Sequence, residues 1–441
     1  MNFSKAKKSK ISLGLIGTGT VGGGVLEILR DQKKFLKNKL GFDLEIKKVA
    51  TLVPTEAQHL GVNKSQIVAS WKDIVNDPEI DIVIELIGGT GVAKEIICQS
   101  IQNKKQVVTA NKALLAMHGK EIFDLAARHE AQVCFEASVG GGIPVLRALR
   151  EAFAACEINS LQAIINGTCN YILSEMADKG AGFQQTLKEA QRLGYAEQDP
   201  TFDIEGIDAA HKLCILISMA FGVFVPLKQI YTQGITELSP LDFECANRFG
   251  YCIKLLAIAK KNQDGLEARV HPTMIPLTSP LSSVKDVFNA ILIEGTPLGR
   301  SLFYGRGAGR GPTASAVMGD VVEIARRLVS GSPVITPPLG FVREALQNGK
   351  LKALEKINSA YYLRFSVLDR PGALSKITGL LGKEGISIAS VYQHELDLGK
   401  KVPVVLLTHP SSEEKMQKAL KKIDRLSFIK EKTLRIRIEH G

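Results

Sequence analysis

The sequence predicts an α/β protein in three parts: an N-terminal doubly wound parallel sheet, a middle α+β region and a C-terminal module with the order βαββαβ. Three observations lead to this prediction. A short apolar run leads into the glycine-rich residues 17–22 and then into a helical pattern. Apolar runs of strand length alternate with amphipathic stretches as far as residue 135. A strand and helix alternation returns after residue 358.

The composition is that of a globular chain with a sizeable core. The chain has 441 residues, of which 45% are apolar and 23% charged, and this length allows several domains of ~100–200 residues. Of the net charge of +11, residues 1–10 and 411–441 contribute +4 each. Because the body is nearly neutral, we expect no nucleic-acid partner.

The seven cysteines are scattered, without a CxxC pair or a Cys/His cluster at zinc spacing. This usage favours a reduced, cytoplasmic chain. The sequence shows neither a secretory signal nor a run of 18 apolar residues. We therefore expect no membrane partner.

The first strand, residues 11–16, leads into a GxGxxG motif that opens a helix. In this context the first glycine permits a tight turn, the second lets the backbone approach a pyrophosphate, and the third lets helix and strand pack closely. We therefore expect a Rossmann-like dinucleotide-binding domain over residues 1–135. The expected phosphate contacts are Gly17, Thr18, Gly19, Thr20, Val21 and Gly22.

Further strands are predicted over residues 82–87 and 106–109. Ligands of parallel sheets bind beyond the carboxyl ends of the strands. Gly89 and Thr90 follow the first of these strands, and Lys112 follows the second. Gly89 and Thr90 are therefore expected at the cofactor. Lys112 either reaches the cofactor or the substrate, or is a solvated lysine at a helix start, and its position alone leaves both interpretations open.

The second strand, predicted over residues 44–52, bears on the choice of dinucleotide. An acid at its end would bind the ribose 2′-hydroxyl of NAD, and an arginine would bind the 2′-phosphate of NADP. This strand offers Thr51 and neither of those residue types. The sequence therefore predicts NAD(P) without a preference.

The middle region contains a glycine-rich turn after a short strand, residues 131–145. The carboxylate of Glu136 together with backbone carbonyls suits a hard cation, but spacing alone favours a tight turn. Five acidic residues then fall within residues 197–208, and a helix follows that carries Asp208 and Lys212 on one face.

Asp208 and Lys212 are either an exposed ion pair or a catalytic pair in a cleft. The apolar continuation of the helix favours the cleft. A lysine that is partly desolvated and oriented by a carboxylate can exchange a proton with an alcohol or carbonyl oxygen. We therefore expect Lys212 to act as a general acid/base beside a nicotinamide cofactor.

Six segments over residues 10–330 occur together in one order: IGTGTVG, TANK, FEASVGGGIP, NGTCNYIL, GYAEQDPTFDIEGIDAAHK and GRGAGRGPTASAV. This set resembles homoserine dehydrogenase. The resemblance implies the reversible, NAD(P)-dependent interconversion of L-homoserine and L-aspartate 4-semialdehyde, in the biosynthesis of threonine, methionine and isoleucine. It also implies a homodimer or homotetramer.

The resemblance assigns roles to individual residues. Lys212 matches the proton-transfer lysine with Asp208 beside it, and Lys112 matches the lysine that faces cofactor and substrate. Glu197 and Asp203 match substrate-binding carboxylates. Further matches are Gly309 near the nicotinamide, Asn166, Gly167 and Thr168 in the floor of the cleft, and Glu136, Val139, Gly141 and Ile143 as a monovalent cation site, for which the resemblance implies sodium.

The C-terminal βαββαβ pattern, residues 358–441, follows a linker over residues 331–357. Its first turn, with Asp369, Arg370, Pro371, Gly372 and Ala373, resembles that of an ACT domain. The resemblance implies a regulatory ligand at this turn, expected to be threonine. A dimerisation module without a ligand is the alternative.

The middle domain is predicted over residues 136–330, and a return of the chain to the nucleotide domain near residues 305–330 is an open alternative. Two other functions are compatible with this organisation. One is a different ACT-bearing NAD(P) dehydrogenase, and the other is a sensor that binds dinucleotide and amino acid without catalysis. The histidines and cysteines do not fall in the motifs that other dehydrogenase chemistries require.

Overall fold

The structure is a computed structural model that describes residues 8–393 and 401–440. The chain forms two compact units. The first comprises Met1–Ile158, His211–Gln229 and Asn289–Gly349, and the second comprises Asn159–Ala210, Ile230–Phe288 and Lys350–Gly441. The domain boundaries inferred from the sequence stay a prediction.

Six strands and seven helices form the first part of the chain: β1 Lys10–Ile16, α1 Thr20–Asp31, α2 Lys33–Leu40, β2 Asp43–Ala50, α3 Pro54–His59, β3 Ile67–Val68, α4 Lys72–Val75, β4 Ile82–Glu85, α5 Val92–Gln102, β5 Gln106–Thr109, α6 Lys112–Arg128, β6 Val133–Cys134 and α7 Val145–Arg147. The middle of the chain contains β7 Glu157–Ile164, α8 Gly167–Lys179, α9 Phe183–Arg192, α10 Thr201–Ile204, α11 Ile207–Phe221, β8 Val223–Phe224, β9 Tyr231–Thr232, α12 Pro240–Arg248, β10 Tyr251–Asn262 and β11 Gly265–Pro276. The last part contains β12 Phe288–Thr296, β13 Gly299–Arg306, α13 Arg310–Ser330, β14 Gln347–Asn348, β15 Asn358–Leu368, α14 Ala373–Lys383, β16 Ile388–Gln393, β17 Lys401–Thr408, β18 Ser411–Ser412, α15 Glu413–Ile423 and β19 Leu434–Ile438.

The first unit contains a parallel sheet with the strand order β3-β2-β1-β4-β5-β6. This order confirms the doubly wound sheet. Strands β2 and β3 are added on one side of β1, and β4, β5 and β6 on the other side. Ligands of such sheets bind at this switch point, between β1 and β4. All four residues of β4 and of β5 are buried, as expected for parallel strands covered on both faces.

The second strand is shorter than predicted. β2 ends at Ala50 instead of at residue 52, because the Thr51 hydroxyl accepts a hydrogen bond from the backbone N–H of Val53 at 3.1 Å and turns the chain. Helix α13 packs against α1 and completes the core of this unit. A Cβ atom at Gly24 would lie 2.8 Å from the Cβ atom of Ala314, so glycine permits this close helix approach.

The second unit contains a sheet in which β7, β10, β11, β19, β15, β17 and β16 are neighbours in that order. β10 and β11 form a long antiparallel hairpin. The C-terminal module contributes the last four strands, and its element order confirms the predicted βαββαβ pattern. Because β19 pairs in parallel with β11, this sheet continues into the sheet of the middle region.

A separate apolar cluster forms the core of the C-terminal module. It joins strands β15 and β17 to helices α14 and α15 through residues such as Phe365, Ile377, Leu406 and Met416. Among the described residues, no helix combines the length and the hydropathy required to cross a bilayer.

Candidate active site

The glycine-rich turn after β1 has the geometry of a phosphate cradle. Gly17 has a φ of 96°, and a Cβ atom there would lie 2.7 Å from the carbonyl oxygen of Leu86. A Cβ atom at Gly22 would lie 2.0 Å from the carbonyl oxygen of Gly17. At Gly19, by contrast, a Cβ atom would meet no described atom within 4 Å. The first and third glycines therefore permit close packing, while the second faces open space.

Helix α1 begins directly at this open space. Its N-cap residue, Gly19, provides no side-chain hydrogen bond to the first turn, and that turn contains no acidic residue. The backbone N–H groups at a helix start and the helix dipole both favour an anion. The residues present therefore fit the pyrophosphate of a dinucleotide.

A buried carboxylate shapes the neighbouring loop. Glu85, fully buried at the end of β4, accepts hydrogen bonds from the Thr109 hydroxyl at 2.6 Å and from the N–H groups of Ile87 and Gly88 at 2.9 and 3.3 Å. Burial raises the pKa of Glu85 in spite of these bonds. Glu85 thereby fixes the loop that contains Gly89 and Thr90.

The same network sets the start of α6. The Asn111 side chain donates to the carbonyl of Gly89 at 2.7 Å and accepts from the N–H of Leu114 at 3.1 Å, which caps the helix. Lys112 is the first residue of α6 and is half-buried. The backbone of Lys112 is thus tied, through its neighbour, to the loop beyond β4.

The end of β2 presents hydroxyl groups. The Thr51 and Thr18 hydroxyls lie 2.5 Å apart. Lys47 and Lys48, which precede this end, form salt bridges of 2.9 and 2.8 Å to Asp77. These two lysines therefore pair with Asp77. The end of β2 carries Thr51 in place of a charged residue, so no charged side chain there decides between NAD and NADP.

The predicted cation loop begins at Glu136. The two carboxylate oxygens of Glu136 accept the backbone N–H groups of Leu146 at 2.9 Å and of Arg147 at 2.7 Å, so Glu136 caps α7. Burial raises the pKa of Glu136. The Glu136 carboxylate therefore caps the helix, and the backbone carbonyl oxygens of the loop are the main candidate ligands for a cation.

The loop after Glu136 is tightly packed. Gly141 has a φ of 54°, and a Cβ atom there would lie 2.5 Å from the carbonyl oxygen of Gly307. Asp320 accepts the backbone N–H of Glu136 at 2.8 Å, and burial raises the pKa of Asp320 to about 7. Val139 and Ile143 are buried. Backbone carbonyl oxygens are ligands that a hard cation accepts, and this loop supplies several of them.

Two carboxylates of the second unit, those of Asp203 and Asp208, lie around the side chain of Asn166. The Asn166 side-chain amide donates to Asp203 at 2.7 Å and to Asp208 at 2.9 Å. Its carbonyl oxygen accepts the N–H of Cys169 at 2.8 Å and caps α8, which starts at Gly167. The Thr168 hydroxyl donates to the carbonyl of Tyr195 at 2.7 Å. The structure thus brings together Asp203 and Asp208, which are distinct parts of the acidic segment.

Asp208 and Lys212 both lie on α11, where one turn separates them. Asp208 is 2% exposed and Lys212 is 9% exposed. These values exclude the solvated surface ion pair that was the alternative to a catalytic pair. Glu197 lies in the loop before α10 and is exposed.

Two further predicted sites adopt backbone conformations that require glycine. Gly309 has a φ of 114° and precedes α13. Gly372 has a φ of 82° and precedes α14, which starts at Ala373 after Asp369, Arg370 and Pro371. The Arg370 guanidinium lies 4.5 Å from the ring centre of Phe428, and Asp369 Oδ2 is buried without a hydrogen-bond partner among the described residues.

Sequence reasoning missed Glu85, Thr109 and Arg310. Glu85 has a recognisable signal, since it is an acid at the end of an apolar strand just before two glycines. Arg310 forms a bidentate pair with Glu27 of α1, at 2.9 and 2.7 Å. That pairing joins residues 283 positions apart, so local sequence carries no sign of it.

Three family models match the chain: "Homoserine dehydrogenase, NAD binding domain" over residues 17–136, "Homoserine dehydrogenase" over residues 144–322 and "ACT domain" over residues 361–425. The homoserine dehydrogenase of Pseudomonas aeruginosa is 43% identical and covers 97% of this chain and 99% of its own length. That of Helicobacter pylori is 42% identical, with coverage of 98% and 100%.

Solved structures agree with these sequence matches. A homoserine dehydrogenase from Thiobacillus denitrificans has a TM-score of 0.92 at 45% identity and covers 98% of both chains. A hyperthermophilic archaeal homoserine dehydrogenase in complex with NADPH has a TM-score of 0.60 at 25% identity, over 71% of this chain and 97% of that one. With relatives of one kind matching nearly its whole length, the chain belongs to the homoserine dehydrogenase family of NAD(P)-dependent oxidoreductases that act on a CH–OH group.

Proposed function

We propose that Lys212 is the general acid/base of the homoserine dehydrogenase reaction, with Asp208 as its positioning residue. The observation that carries this proposal is the hydrogen-bonded group of Asn166, Asp203 and Asp208, one helical turn from a buried lysine. Lys212 follows the buried Asp208 by one turn of α11, and a lysine oriented by a carboxylate suits general acid/base catalysis.

Oxidation of the alcohol breaks a C–H bond and an O–H bond and forms the carbonyl. The bound dinucleotide supplies the hydride acceptor. The neutral amine of Lys212 accepts the proton from the hydroxyl oxygen, and in the reverse direction its ammonium returns the proton to the carbonyl oxygen. This direction of transfer makes homoserine oxidation faster as pH rises and aldehyde reduction faster as pH falls.

L-Homoserine carries an ammonium and a carboxylate in addition to its hydroxyl. We assign Glu197 and Asp203 to the substrate ammonium, because carboxylates bind cations through charge-assisted hydrogen bonds. Lys112 is assigned to the cofactor and to the substrate. Asn166 supports this arrangement, since it holds Asp203 and Asp208 at hydrogen-bonding distance.

The dinucleotide is assigned to the turn of Gly17, Thr18, Gly19, Thr20, Val21 and Gly22, and to Gly89, Thr90, Lys112 and Gly309. The open space at Gly19 and the start of α1 support the pyrophosphate position. Glu85 and Asn111 act as positioning residues for the loop that contains Gly89.

A sodium ion is proposed at the loop of Glu136, Val139, Gly141 and Ile143. The family resemblance and the positive φ of Gly141, which only glycine adopts readily, support this site. We expect replacement of sodium chloride by choline chloride to lower the rate of homoserine oxidation and to lower the melting temperature of the protein. Equal rates and melting temperatures in the two salts, at one ionic strength, would contradict the proposal.

L-Threonine is proposed as an inhibitor that binds the turn of Asp369, Arg370, Pro371, Gly372 and Ala373. The start of α14 has no side-chain cap, so backbone N–H groups of its first turn suit a ligand carboxylate, and the buried Asp369 Oδ2 suits an ammonium. We expect L-threonine to inhibit the full chain and Asp369→Asn to weaken the inhibition severalfold. Lys383→Ala, at the other end of α14, is the control, and inhibition that is equal in all three proteins would contradict the proposal.

The Asp369→Asn substitution tests the module better than its deletion, because β19 pairs with β11 and a deletion would expose β11.

A homodimer or homotetramer is also proposed. β16 forms the edge of the sheet within the described residues, and an edge strand supports pairing with a second subunit. A cytoplasmic location remains a proposal, supported by seven cysteines that are all free thiols.

A further inference from the structure

A cavity of about 510 Å³ lies within the second unit, apart from the turn of residues 369–373. One wall is the segment that begins with β9, residues 231–237, together with Glu205 at the end of α10. The opposite wall is formed by α15 and β19 of the C-terminal module. The charged residues that line it are Glu205, Glu237, Asp424, Lys421, Lys432 and Arg435.

These side chains give the cavity both signs of charge in equal number. Arg435 pairs with Glu413 through Nη1 at 2.6 Å, but its Nε is buried and has no hydrogen-bond partner among the described residues. Lys421 and Lys432 are exposed, and neither forms a salt bridge with a described acidic residue. Lys421, Lys432, Arg435 and Asp424 lie on the wall of the C-terminal module, and Glu205 and Glu237 lie on the opposite wall. A small zwitterion, with one carboxylate and one ammonium, matches this lining.

The two walls are held together independently of any ligand. The guanidinium of Arg437 on β19 lies 4.7 Å from the ring centre of Tyr231. Arg364 of β15 donates to the carbonyl of Glu237 at 3.4 Å and to Asp242 at 2.7 Å. Because fixed walls lose little entropy on binding, the cavity is preorganised for a ligand.

The cavity also reaches the turn between α10 and α11. The N–H of Ile235 donates to the carbonyl of Ile204 at 3.0 Å. A Cβ atom at Gly234 would lie 2.7 Å from a carboxylate oxygen of Glu205, and one at Gly206 would lie 3.1 Å from Thr232. The wall of the cavity therefore touches a turn that is flanked by Asp203 and Asp208, which both accept hydrogen bonds from the Asn166 side chain.

We propose that this cavity is a second effector site, which binds a free α-amino acid and acts on the substrate carboxylates through the α10–α11 turn. The coupling rests on the proposed function of Asp203 and Asp208. The ligand's carboxylate contacts Lys421 and Lys432, and its ammonium contacts Glu205 and Asp424. An amino acid in contact with Glu205 changes the turn and thereby the apparent KM for L-homoserine.

The test uses the full chain with Asp369→Asn, which removes the threonine site proposed at the turn of residues 369–373. L-Threonine is titrated by calorimetry into this variant, and we expect binding to persist. Adding Lys421→Ala and Lys432→Ala should raise the remaining Kd at least about tenfold, the effect of losing charge-assisted hydrogen bonds. Adding Lys430→Ala instead, a lysine outside the cavity lining, should leave the Kd unchanged.

Two results would overturn the proposal: no binding of L-threonine to the Asp369→Asn variant, or binding that the two cavity substitutions do not weaken. Homoserine oxidation without L-threonine is measured for every variant. If the unsubstituted chain lacks that activity, the proposed function fails and the binding result still decides whether the cavity is occupied. If the activity is present, a rise in KM for L-homoserine with L-threonine in the Asp369→Asn variant supports the coupling.

Discussion

Lys212→Ala should lower kcat for homoserine oxidation by about 10²- to 10⁴-fold, the usual contribution of a positioned acid/base. Lys212 is 9% exposed and lies on α11, one turn after Asp208. Without its amine, the hydroxyl proton has no positioned acceptor. The measurement is the steady-state rate at saturating L-homoserine and dinucleotide.

Binding of the dinucleotide should remain within about twofold of the unsubstituted enzyme, because the cradle at Gly17–Gly22 is unchanged. Lys188→Ala, which removes an exposed lysine of α9, is the matched control and should retain full activity. A Lys212→Ala enzyme that keeps more than half of the original kcat would remove Lys212 from the mechanism.

Glu413→Gln should lower the free energy of unfolding of the second unit by about 3–5 kcal/mol, the cost of breaking a buried ion pair. Glu413 and Arg437 are both fully buried. The carboxylate accepts two hydrogen bonds from Arg437, at 3.0 and 2.8 Å, and one from the Tyr361 hydroxyl at 2.9 Å. The substitution leaves the guanidinium buried without a full counter-charge. Urea unfolding, followed by circular dichroism, gives the free-energy difference.

The next residue offers a matched control. Glu414 pairs with Lys418 on the exposed side of α15, and exposed pairs contribute little to stability. Glu414→Gln should therefore give the same urea midpoint as the unsubstituted chain. Equal midpoints for the Glu413→Gln and Glu414→Gln variants would contradict the proposed role of the buried pair.

The same carboxylate predicts a pH dependence. Burial alone would raise the pKa of Glu413, but Arg437 and Arg435 outweigh it and lower the pKa below the ordinary value of 4.5. A lowered pKa in the folded state means that the stabilisation is present above pH 4.5 and is lost as pH falls through the folded pKa. Glu413→Gln should therefore flatten the acid side of the stability profile. A profile with unchanged slope below that pH would contradict this assignment.

The doubly wound parallel sheet of the first unit could be predicted because its signals are local. The apolar run before Gly17 and the glycines of the cradle required no long-range information, and the doubly wound sheet is confirmed. The βαββαβ order of the C-terminal module is confirmed for the same reason. The end of β2 was predicted two residues too late, because a hydrogen bond from the Val53 N–H to the Thr51 hydroxyl turns the chain there.

Contacts between distant segments could not be predicted. The parallel pairing of β19 with β11 joins residues more than 160 positions apart, such as Thr273 and Arg437. In the candidate site, the sequence shows the acidic segment of residues 197–208. It does not show that Glu197 is exposed while Asp203 and Asp208 bind the Asn166 side chain. A single sequence indicates which residues are acidic, whereas burial depends on the packing of α8 and α11. The individual roles of the site residues remain predictions.

The central claim is that this chain oxidises L-homoserine with a nicotinamide dinucleotide. The most direct test is the absorbance of reduced nicotinamide after L-homoserine is added to the purified full chain, with NAD and NADP in separate reactions. We expect reduced nicotinamide to accumulate in a homoserine-dependent way with at least one dinucleotide, and the Lys212→Ala enzyme to show almost none. Accumulation with neither dinucleotide, in a protein that binds both, would contradict the account and favour a sensor without catalysis.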